Sequence, residues 1–213
     1  MELSMESFPF KHNNRSANRM IRIKETELHR KAAYLFNMHG YANTSIRQIS
    51  RTIKIHGGSL YHYINKKEDL LYNICEGSML MSLEVIESIL KANLAVDVKL
   101  QKMIEAHIIS IAKNVNEHAT MLKELRSLGL SNQRKIIKLR DSYESLFRKG
   151  IADCIKEGVF RDVDVRMSTF ALLGMANWLV HWYSHDGKMR SEDIARIFSD
   201  LFINGLRREP ANK

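Results

Sequence analysis

Proline is nearly absent from this chain: among 213 residues only Pro9 and Pro210 are proline, and both lie near an end of the sequence. Proline breaks helices because it lacks a backbone N–H and its ring clashes with the preceding turn. Between these two positions, apolar residues recur at intervals of three and four, the spacing of one helical face. We therefore predict an all-α fold of about nine helices. A chain of this length buries a substantial core without disulfides or metals.

The stretch 44–70 predicts two short helices joined by a sharp turn. Apolar side chains fall at helical spacing on both sides of the turn, at Ile46, Ile49 and Ile53 and then at Ile55, Leu60 and Tyr63. Between the two sets lies His56-Gly57-Gly58, which is too short for anything but a tight turn. This pattern is typical of a helix-turn-helix, whose second helix presents its outer face to a DNA groove.

Positive charge is concentrated around the same stretch. Residues 11–67 contain twelve Lys and Arg against two acidic residues, whereas the rest of the chain contains 21 against 22. The formal net charge of +9 therefore comes from one segment, and a concentrated positive charge attracts a polyanion. The expected partner is double-stranded DNA; the alternative is a basic surface that is merely solvated.

Periodicity and capping signals place the helix boundaries. The predicted helices cover 19–38, 45–53, 58–63, 66–91, a segment after Asp97, 117–125, 132–157, 163–184 and 191–206. Gly40 and Gly158 are expected to end helices, and Ser191 is expected to cap one. Ser45 with Gln48, and Asn65 with Glu68, have the spacing of capping boxes. We divide the chain into a flexible tail (1–18), a helix-turn-helix DNA-binding domain (19–66) and a ligand-binding and dimerisation domain (67–208).

Several short motifs between residues 26 and 71 occur together, in register, in one known family. They are Ala32-Ala33, Leu35-Phe36, His39-Gly40-Tyr41, Thr44-Ser45-Ile46-Arg47-Gln48-Ile49, Gly58-Ser59-Leu60-Tyr61-His62-Tyr63 and Lys67-Glu68-Asp69-Leu70. The segment resembles the DNA-binding domain of the tetracycline-repressor (TetR) family of bacterial regulators. The resemblance implies an all-helical homodimer. Its first three helices would read an operator, and a divergent C-terminal helical domain would bind a small molecule and dimerise.

The resemblance also implies which residues contact DNA. They are Thr44, Ser45, Arg47, His56, Gly57, Gly58, Ser59, Tyr61, His62 and Lys67. Thr44, Tyr61, His62 and Lys67 would hold phosphates, with core packing as the alternative for Tyr61. The small residues 57–59 would let the third helix approach the base edges of the major groove.

Two positions depart from the family pattern. Family members commonly have glycine where this chain has Lys54, and a lysine in left-handed backbone conformation costs on the order of 1 kcal/mol. Before Gly58 the family often has Ser-Lys, whereas this chain has His56-Gly57. The usual lysine contact is therefore missing, and His56 is its candidate replacement, with weaker charge at neutral pH.

The C-terminal half resembles a subgroup that often responds to acyl-CoA thioesters, fatty acids or related intermediates. The matching segments are LLGMANWLVHWYSHDG (172–187) and SEDIARIFSDLFINGL (191–206). The expected effector is small and hydrophobic, and the family hosts its pocket between these helices. The candidate effector residues are Met103, His107, Ile111, Met121, Leu125, Tyr143, Phe147, Phe170, Asn177, Trp178, His181 and Trp182. For each apolar residue taken singly, core or interface packing is the alternative.

The segment from Met167 to His185 has no Lys, Arg, Asp or Glu. Its length meets the rule for a membrane span, but Asn177, His181 and a central Gly174 interrupt it. A helix buried in a dimer interface is the favoured interpretation. The eighth and ninth predicted helices (163–184 and 191–206) of two subunits would then form a four-helix bundle, with no membrane contact.

Catalytic, metal-binding and export signals are missing from the sequence. No nucleophile–base pattern, paired acids or Gly-rich phosphate loop occurs, so we predict that the protein is not an enzyme. The alternative to a DNA-binding regulator is an all-helical enzyme or a small-molecule-binding protein that does not act on DNA. His181 and His185 are one helical turn apart without a third ligand nearby, so we predict no metal and no cofactor. The isolated Cys75 and Cys154, and an N-terminus without a signal-peptide pattern, favour the cytoplasm. We expect a repressor released by its effector.

Overall fold

The structure is a computed structural model that describes residues 15–54 and 64–208. Over these ranges the chain is all-α, as predicted. Its helices are α1 (Arg15–His39), α2 (Ile46–Thr52), α3 (Lys67–Lys91), α4 (Val96–Lys113), α5 (Val115–Glu124), α6 (Leu130–Lys156), α7 (Val165–Asn177) and α8 (Ser191–Leu206). Short 3-10 turns follow α5 (Leu125–Ser127) and α7 (Trp178–His181). The helix predicted over 58–63 lies outside the described residues.

The connection between α1 and α2 forms as its sequence predicts. Gly40 has a φ of +81°, the left-handed conformation in which glycine commonly ends a helix. Ser45 and Gln48 form the expected capping box: the Ser45 hydroxyl accepts from the Gln48 N–H, and the Gln48 carboxamide oxygen accepts from the Ser45 N–H at 2.7 Å. The N-terminal end of α1 lies four residues before the predicted start.

The second predicted capping box, between Asn65 and Glu68, is wrong. Helix α3 begins one residue later than this box requires, so Lys66 is its N-cap and Asp69 is its third residue. The Asp69 carboxylate accepts a hydrogen bond from the Lys66 N–H at 3.1 Å. Glu68 is thereby free to bond to another helix, as described below.

The end of α7 is also shorter than predicted. The sequence predicted a helix over 163–184, but α-helical structure ends at Asn177 and a 3-10 turn continues to His181. Buried residues keep helical spacing across this boundary, at Leu172, Ala176, Leu179 and Val180. Periodicity alone therefore cannot locate the boundary. At α8, Ser191 is the first helical residue, and the N-cap is Arg190 rather than Ser191 as predicted.

Helix α4 is central to the C-terminal half. It packs against α3, α6, α7 and α8, and its Leu100, Met103, Ile104, Ile108 and Ile111 side chains are completely buried. Burying a side chain of this size contributes about 1.5–3 kcal/mol, so these five residues form a large share of the core. None of the described helices combines the length and the apolar character needed to cross a bilayer.

Candidate nucleic-acid interface and ligand cavity

Four of the ten predicted DNA-binding residues lie in the described ranges: Thr44, Ser45, Arg47 and Lys67. The other six, His56, Gly57, Gly58, Ser59, Tyr61 and His62, lie outside the described residues, and so does the altered turn at 56–57. The described residues therefore show how the helix-turn-helix is held by the rest of the chain.

Thr44 serves the fold of the α1–α2 connection. Its side chain is 1% exposed, and its hydroxyl donates to the Gly40 carbonyl at 2.8 Å. The prediction that this hydroxyl faces a phosphate is contradicted, because the group is buried and its hydrogen is bonded within the chain. The Ser45 hydroxyl is occupied by the helix cap. The Arg47 side chain is exposed and has no hydrogen bond or ion pair within the described residues, so it is available to an external anion.

Lys67 joins α3 to the α1–α2 connection. Its Nζ donates to the Tyr41 carbonyl at 2.8 Å and to the Thr44 carbonyl at 2.9 Å, and lies 4.1 Å from the centre of the Tyr41 ring. Burial lowers the pKa of this ammonium group, and nearby Glu124 partly opposes that effect. An ammonium group has three N–H donors, so one is left without a hydrogen-bond partner in the part of the chain that the structure describes.

Glu68, the next residue, joins α3 to the start of α6. Its Oε1 accepts from the Gly129 N–H at 3.0 Å and from the Asn132 side-chain amide at 2.9 Å. A carboxylate at this position matches the positive end of the α6 dipole. The Gly129 hydrogen bond is the largest cause that lowers the pKa of Glu68, followed by the Lys66 and Asn132 side chains. Adjacent residues of α3 thus hold the helix-turn-helix on one side and α6 on the other.

Helix α5 is bonded directly to α1 and to the connection after it. Its Thr120 hydroxyl donates to the Ala33 carbonyl at 3.0 Å, and this bond is buried. The Asn37 side chain donates to Asn116 at 3.0 Å and accepts from Lys123 at 2.8 Å. At the end of α5, Glu124 accepts from the Tyr41 N–H at 3.0 Å. One face of α5 is therefore fixed to the DNA-binding half of the chain.

Other side chains of α5 border a cavity of about 410 Å³ between α3, α4, α5, α6 and α7. This volume lies within the range of small-molecule sites. The lining residues are Met79, Ser82, His107, His118, Met121, Leu122, Ile137, Arg140, Asp141, Tyr143, Glu144, Phe170, Leu173, Gly174 and Asn177. The cavity and the contacts to α1 thus share one short helix.

Five of the twelve predicted effector residues line this cavity: His107, Met121, Tyr143, Phe170 and Asn177. Met103, Ile111 and Phe147 are not among its lining residues and are completely buried in the core, and Leu125 packs against that core at the 3-10 turn after α5. Trp178, His181 and Trp182 are not among its lining residues either and are exposed on the protein surface, so their role in effector binding stays a prediction. Trp178 directly follows Asn177, so it points about 100° away around the helix axis.

Ten lining residues were not predicted from the sequence, and most of them lie on α6 and α7. On α6 they are Ile137, Arg140, Asp141 and Glu144, and on α7 Leu173 and Gly174 continue the set begun by Phe170. Both sets have the i, i+3, i+4, i+7 spacing of one helical face. That spacing was detectable in the sequence. Charged residues on this face, however, predict contact with solvent as readily as a cavity wall. The remaining missed residues are Met79, Ser82, His118 and Leu122.

Two uncharged histidines define the polar character of the cavity. His107 is 4% exposed, and its Nδ1 lies 2.9 Å from the Tyr143 hydroxyl oxygen. Burial, and secondarily His118, lowers the pKa of His107 to about 3, and burial lowers that of His118 to about 4. On α6, Glu144 is ion-paired with Arg148, while Arg140 is exposed and has no ion pair within the described residues.

An apolar surface is exposed on α7, the following turn and α8. It consists of Met167, Phe170, Trp178, Trp182, Ile197 and Leu201. Trp178 is 62% exposed and Leu201 is 64% exposed, values that are high for side chains of this size and polarity. His181 and His185 do not share a helix, because the 3-10 turn ends at His181. Across the described ranges, no three His, Cys, Asp or Glu side chains form a cluster that could hold a metal.

Comparison with known proteins gives matches over both halves of the chain. Residues 28–74 match the family described as "Bacterial regulatory proteins, tetR family". Residues 94–206, more than half of the chain, match the family described as "Tetracyclin repressor-like, C-terminal domain". The HTH-type transcriptional repressor KstR2 of Rhodococcus jostii (strain RHA1) is 26% identical over 187 residues, which cover 86% of this chain and 91% of that protein.

Two solved structures show the same fold. The TetR family transcriptional regulator PfmR from Thermus thermophilus is 34% identical, with a TM-score of 0.78 over 85% of this chain and 99% of that chain. AibR, whose structure was solved in complex with isovaleryl coenzyme A and operator DNA, is 24% identical. Its TM-score is 0.73 over 84% of this chain and 97% of that chain.

Proposed function

The chain belongs to the tetracycline-repressor (TetR) family, and from this premise we propose that it is a homodimeric repressor released from its operator by a small, largely apolar effector. It is a ligand-responsive, DNA-binding transcriptional regulator and not an enzyme. We propose an acyl-CoA thioester or a fatty acid as the effector class, and the cytoplasm as its location. The observation that carries the proposal is that α5 borders the cavity on one side and is hydrogen-bonded to α1 on another.

The cavity supports an effector with an apolar part and a few polar groups. Its apolar lining includes Met79, Met121, Leu122, Phe170 and Leu173. Its polar lining includes two uncharged imidazoles and, on α6, the cation Arg140 with the acids Asp141 and Glu144. A chain-like acyl group fits the apolar set, and Arg140 is the partner for a phosphate of an anionic carrier such as coenzyme A. The complex of AibR with isovaleryl coenzyme A supports the same class.

The contacts of α5 and α6 supply a route from the cavity to DNA. His118, Met121 and Leu122 of α5 would move when an effector fills the cavity. The same helix bonds Ala33, Asn37 and Tyr41 through its other side chains, so its movement would displace the helix-turn-helix. Helix α3 would follow, since its first turn holds both the α1–α2 connection and α6.

This displacement would act by changing the separation of two recognition helices. In a dimer these helices must match half-sites about one DNA turn apart. An effector can alter operator affinity only if it binds more tightly to the dimer at one separation of the recognition helices than at the other. The exposed apolar surface on α7 and α8 supports the proposal that these two helices form the dimer interface, with a four-helix bundle as its core.

On the DNA side, we propose that Arg47 contacts a phosphate or base edge and that the third N–H of Lys67 contacts a phosphate. Ser45 is proposed to contact the DNA backbone beside its capping role. The same proposal extends to His56, Gly57, Gly58, Ser59, Tyr61 and His62, which lie outside the described residues. Exposed Arg and Lys side chains beside a helix-turn-helix supply the salt-dependent part of operator binding.

The deciding experiment is a titration of the full-length protein bound to a DNA fragment from its own promoter region. Octanoyl-CoA and palmitoyl-CoA are added at fixed salt, and the fraction of bound DNA is measured by fluorescence anisotropy. The proposal expects release of DNA as the thioester concentration rises. Specific DNA binding that neither thioesters nor fatty acids change would contradict the proposed effector class, and tighter binding with effector would contradict release.

A further inference from the structure

His107 has one ring nitrogen without a partner although its side chain is almost fully buried. The ring contacts Tyr143 and Phe147, with centroid separations of 5.5 and 5.7 Å, and it borders the cavity. Its Nδ1 is bonded to the Tyr143 hydroxyl, but its Nε2 has no hydrogen-bond partner within the described residues. Buried polar atoms are nearly always paired, so an unpaired one beside a cavity indicates a missing partner.

The hydrogen-bond network determines which kind of partner is missing. The Tyr143 hydroxyl is buried, and Nδ1 of His107 is its sole hydrogen-bond acceptor within the described part of the chain. Either atom could be the donor in this bond. We assign the hydroxyl as the donor, because the opposite arrangement would leave both the hydroxyl hydrogen and Nε2 unpaired. In a neutral imidazole the other nitrogen then carries the proton, so Nε2–H is a donor that needs an acceptor. This tautomer follows from the network.

The charge around this donor decides between two classes of acceptor. His107 and His118 are uncharged at neutral pH, since burial lowers the pKa of both. Among the charged lining residues, the cation Arg140 is outnumbered by the acids Asp141 and Glu144, so the lining has no net positive charge. A carboxylate placed beside these imidazoles would lose its hydration without gaining a counter-charge from them, whereas a neutral carbonyl loses much less.

We infer that His107 Nε2–H donates a hydrogen bond to a neutral carbonyl oxygen of the effector, as in a thioester or ester, and that His107 selects this group over the corresponding free carboxylate. The inference rests on the proposed function in one respect, namely that the cavity is the effector site. The apolar lining on α3, α5 and α7 would hold the acyl chain.

The inference is tested by direct binding to the full-length protein, measured by isothermal titration calorimetry with three probes that share one acyl chain. Octanoyl-CoA has a neutral carbonyl and phosphates, methyl octanoate has a neutral carbonyl alone, and octanoate has a carboxylate. The wild type is expected to bind the first two more tightly than octanoate. The His107→Phe variant keeps an aromatic ring against Tyr143 and Phe147 but removes the donor.

In His107→Phe, binding of octanoyl-CoA and methyl octanoate should weaken about tenfold, while binding of octanoate changes by about twofold or less. The double variant His107→Phe/Tyr143→Phe guards against misfolding, because it also removes the hydroxyl left unpaired by the single change. Phe147→Leu is the packing control: it disturbs the ring's neighbour outside the cavity lining and should affect all three probes alike. With octanoyl-CoA labelled by ¹³C at the carbonyl, the bound carbonyl shift should differ between wild type and His107→Phe.

Several results would overturn the inference. They are equal wild-type affinity for methyl octanoate and octanoate, a parallel loss for all three probes in His107→Phe, and no binding of any probe. Operator release is measured alongside. Discrimination among the probes without release of DNA would leave the inference standing and contradict the proposed function. Release of DNA by the thioester without any difference in affinity among the three probes would contradict the inference and leave the proposed function standing.

Discussion

Glu124, the last residue of α5, accepts a hydrogen bond from the backbone N–H of Tyr41 at 3.0 Å. The bond links a helix that borders the cavity to the loop that positions α2. Tyr41 is held from its other side as well, since its carbonyl accepts from Lys67. The backbone N–H and carbonyl of Tyr41 therefore connect α5 and α3, respectively, to the helix-turn-helix.

This arrangement predicts that Glu124→Gln weakens the coupling between effector and operator. The substitution keeps the shape but replaces a charged acceptor with a weaker neutral one, so a loss of about 1 kcal/mol in coupling free energy is expected. The measurement is operator affinity with and without saturating octanoyl-CoA, beside calorimetric affinity for the effector alone. Glu84→Gln, an exposed change on α3, is the control. A coupling equal to that of the wild type would remove Glu124 from the route.

Lys54 has a φ of 56°, as expected from the family's preference for glycine at this position. A side chain in this conformation is strained, so Lys54→Gly should raise the free energy of unfolding by up to about 1 kcal/mol. The greater conformational freedom of glycine in the unfolded chain makes the net increase smaller. Urea denaturation measures the change. Arg51→Gly, in the last turn of α2, is the matched control and should lower stability by about 1 kcal/mol. A destabilised Lys54→Gly would show that the lysine side chain makes compensating contacts.

The buried histidines predict a pH dependence of stability. Their pKa values, about 3 for His107 and about 4 for His118, lie below the ordinary value of about 6.5 expected when unfolded. Below that pH the unfolded chain binds protons that the folded chain excludes, so stability decreases as pH falls. At pH 5 the loss is about 2 kcal/mol for each histidine. Urea titrations from pH 7.5 to 5 should show this slope.

His118→Phe should reduce by about half the part of the slope that these two histidines contribute. The double variant His107→Phe/His118→Phe should remove that part between pH 6.5 and 5 and leave the smaller decrease due to His29, whose pKa burial also lowers. The two contributions are not fully independent, since His118 itself adds to the lowered pKa of His107. A slope in the double variant as steep as in the wild type would mean that other groups cause the acid sensitivity.

The sequence predicts the elements of this fold better than their side-chain neighbourhoods. Short local signals, such as Gly40 at the end of α1 and the Ser45–Gln48 box, act within one turn and were read correctly. The Thr44 hydroxyl was assigned to DNA by resemblance, whereas its partner is the Gly40 carbonyl four residues earlier. The bonds of Glu68 and Glu124 join residues 61 and 83 positions apart, and no local pattern predicts such pairs.

The cavity residues show the same limit. His107 and Tyr143 lie on buried helical faces, so periodicity identified them, but it equally selected Met103 and Phe147, which pack in the core. Whether a buried face meets a cavity or another side chain depends on how neighbouring helices diverge, and that is a property of the assembled fold. Trp178 and Trp182 lie outside the cavity lining, after α7 ends at Asn177, and apolar spacing does not reveal that end.

Arg140 predicts a preference for effectors with an anionic end. It lines the cavity, has no ion pair within the described part of the chain, and lies one helical turn from Tyr143. Arg140→Gln should weaken octanoyl-CoA binding about fivefold and leave methyl octanoate unchanged, because only the former carries phosphates. Isothermal titration calorimetry at low and high salt measures the affinities for octanoyl-CoA and for methyl octanoate. Lys138→Gln, an exposed change that lies outside the cavity lining, is the control. Equal losses for both ligands would indicate a structural role for Arg140.

Leu201 predicts where two subunits meet. It is 64% exposed on α8, within the apolar surface that also contains Trp178 and Ile197. If this surface forms the dimer interface, Leu201→Glu places a charge in a desolvated apolar contact in each subunit, and the dimer dissociation constant should rise by at least about a hundredfold. Sedimentation equilibrium measures the constant, and operator affinity should fall with it because two half-sites are no longer bound together.

Leu130→Glu is the matched control for that experiment. Leu130 is 71% exposed and also apolar, but it lies at the first position of α6, outside the α7–α8 surface. A glutamate there is compatible with the helix dipole, so folding should be preserved. Leu130→Glu is expected to remain dimeric at concentrations at which Leu201→Glu is monomeric. A monomeric Leu130→Glu beside a dimeric Leu201→Glu would place the interface at the start of α6 and not on the α7–α8 surface.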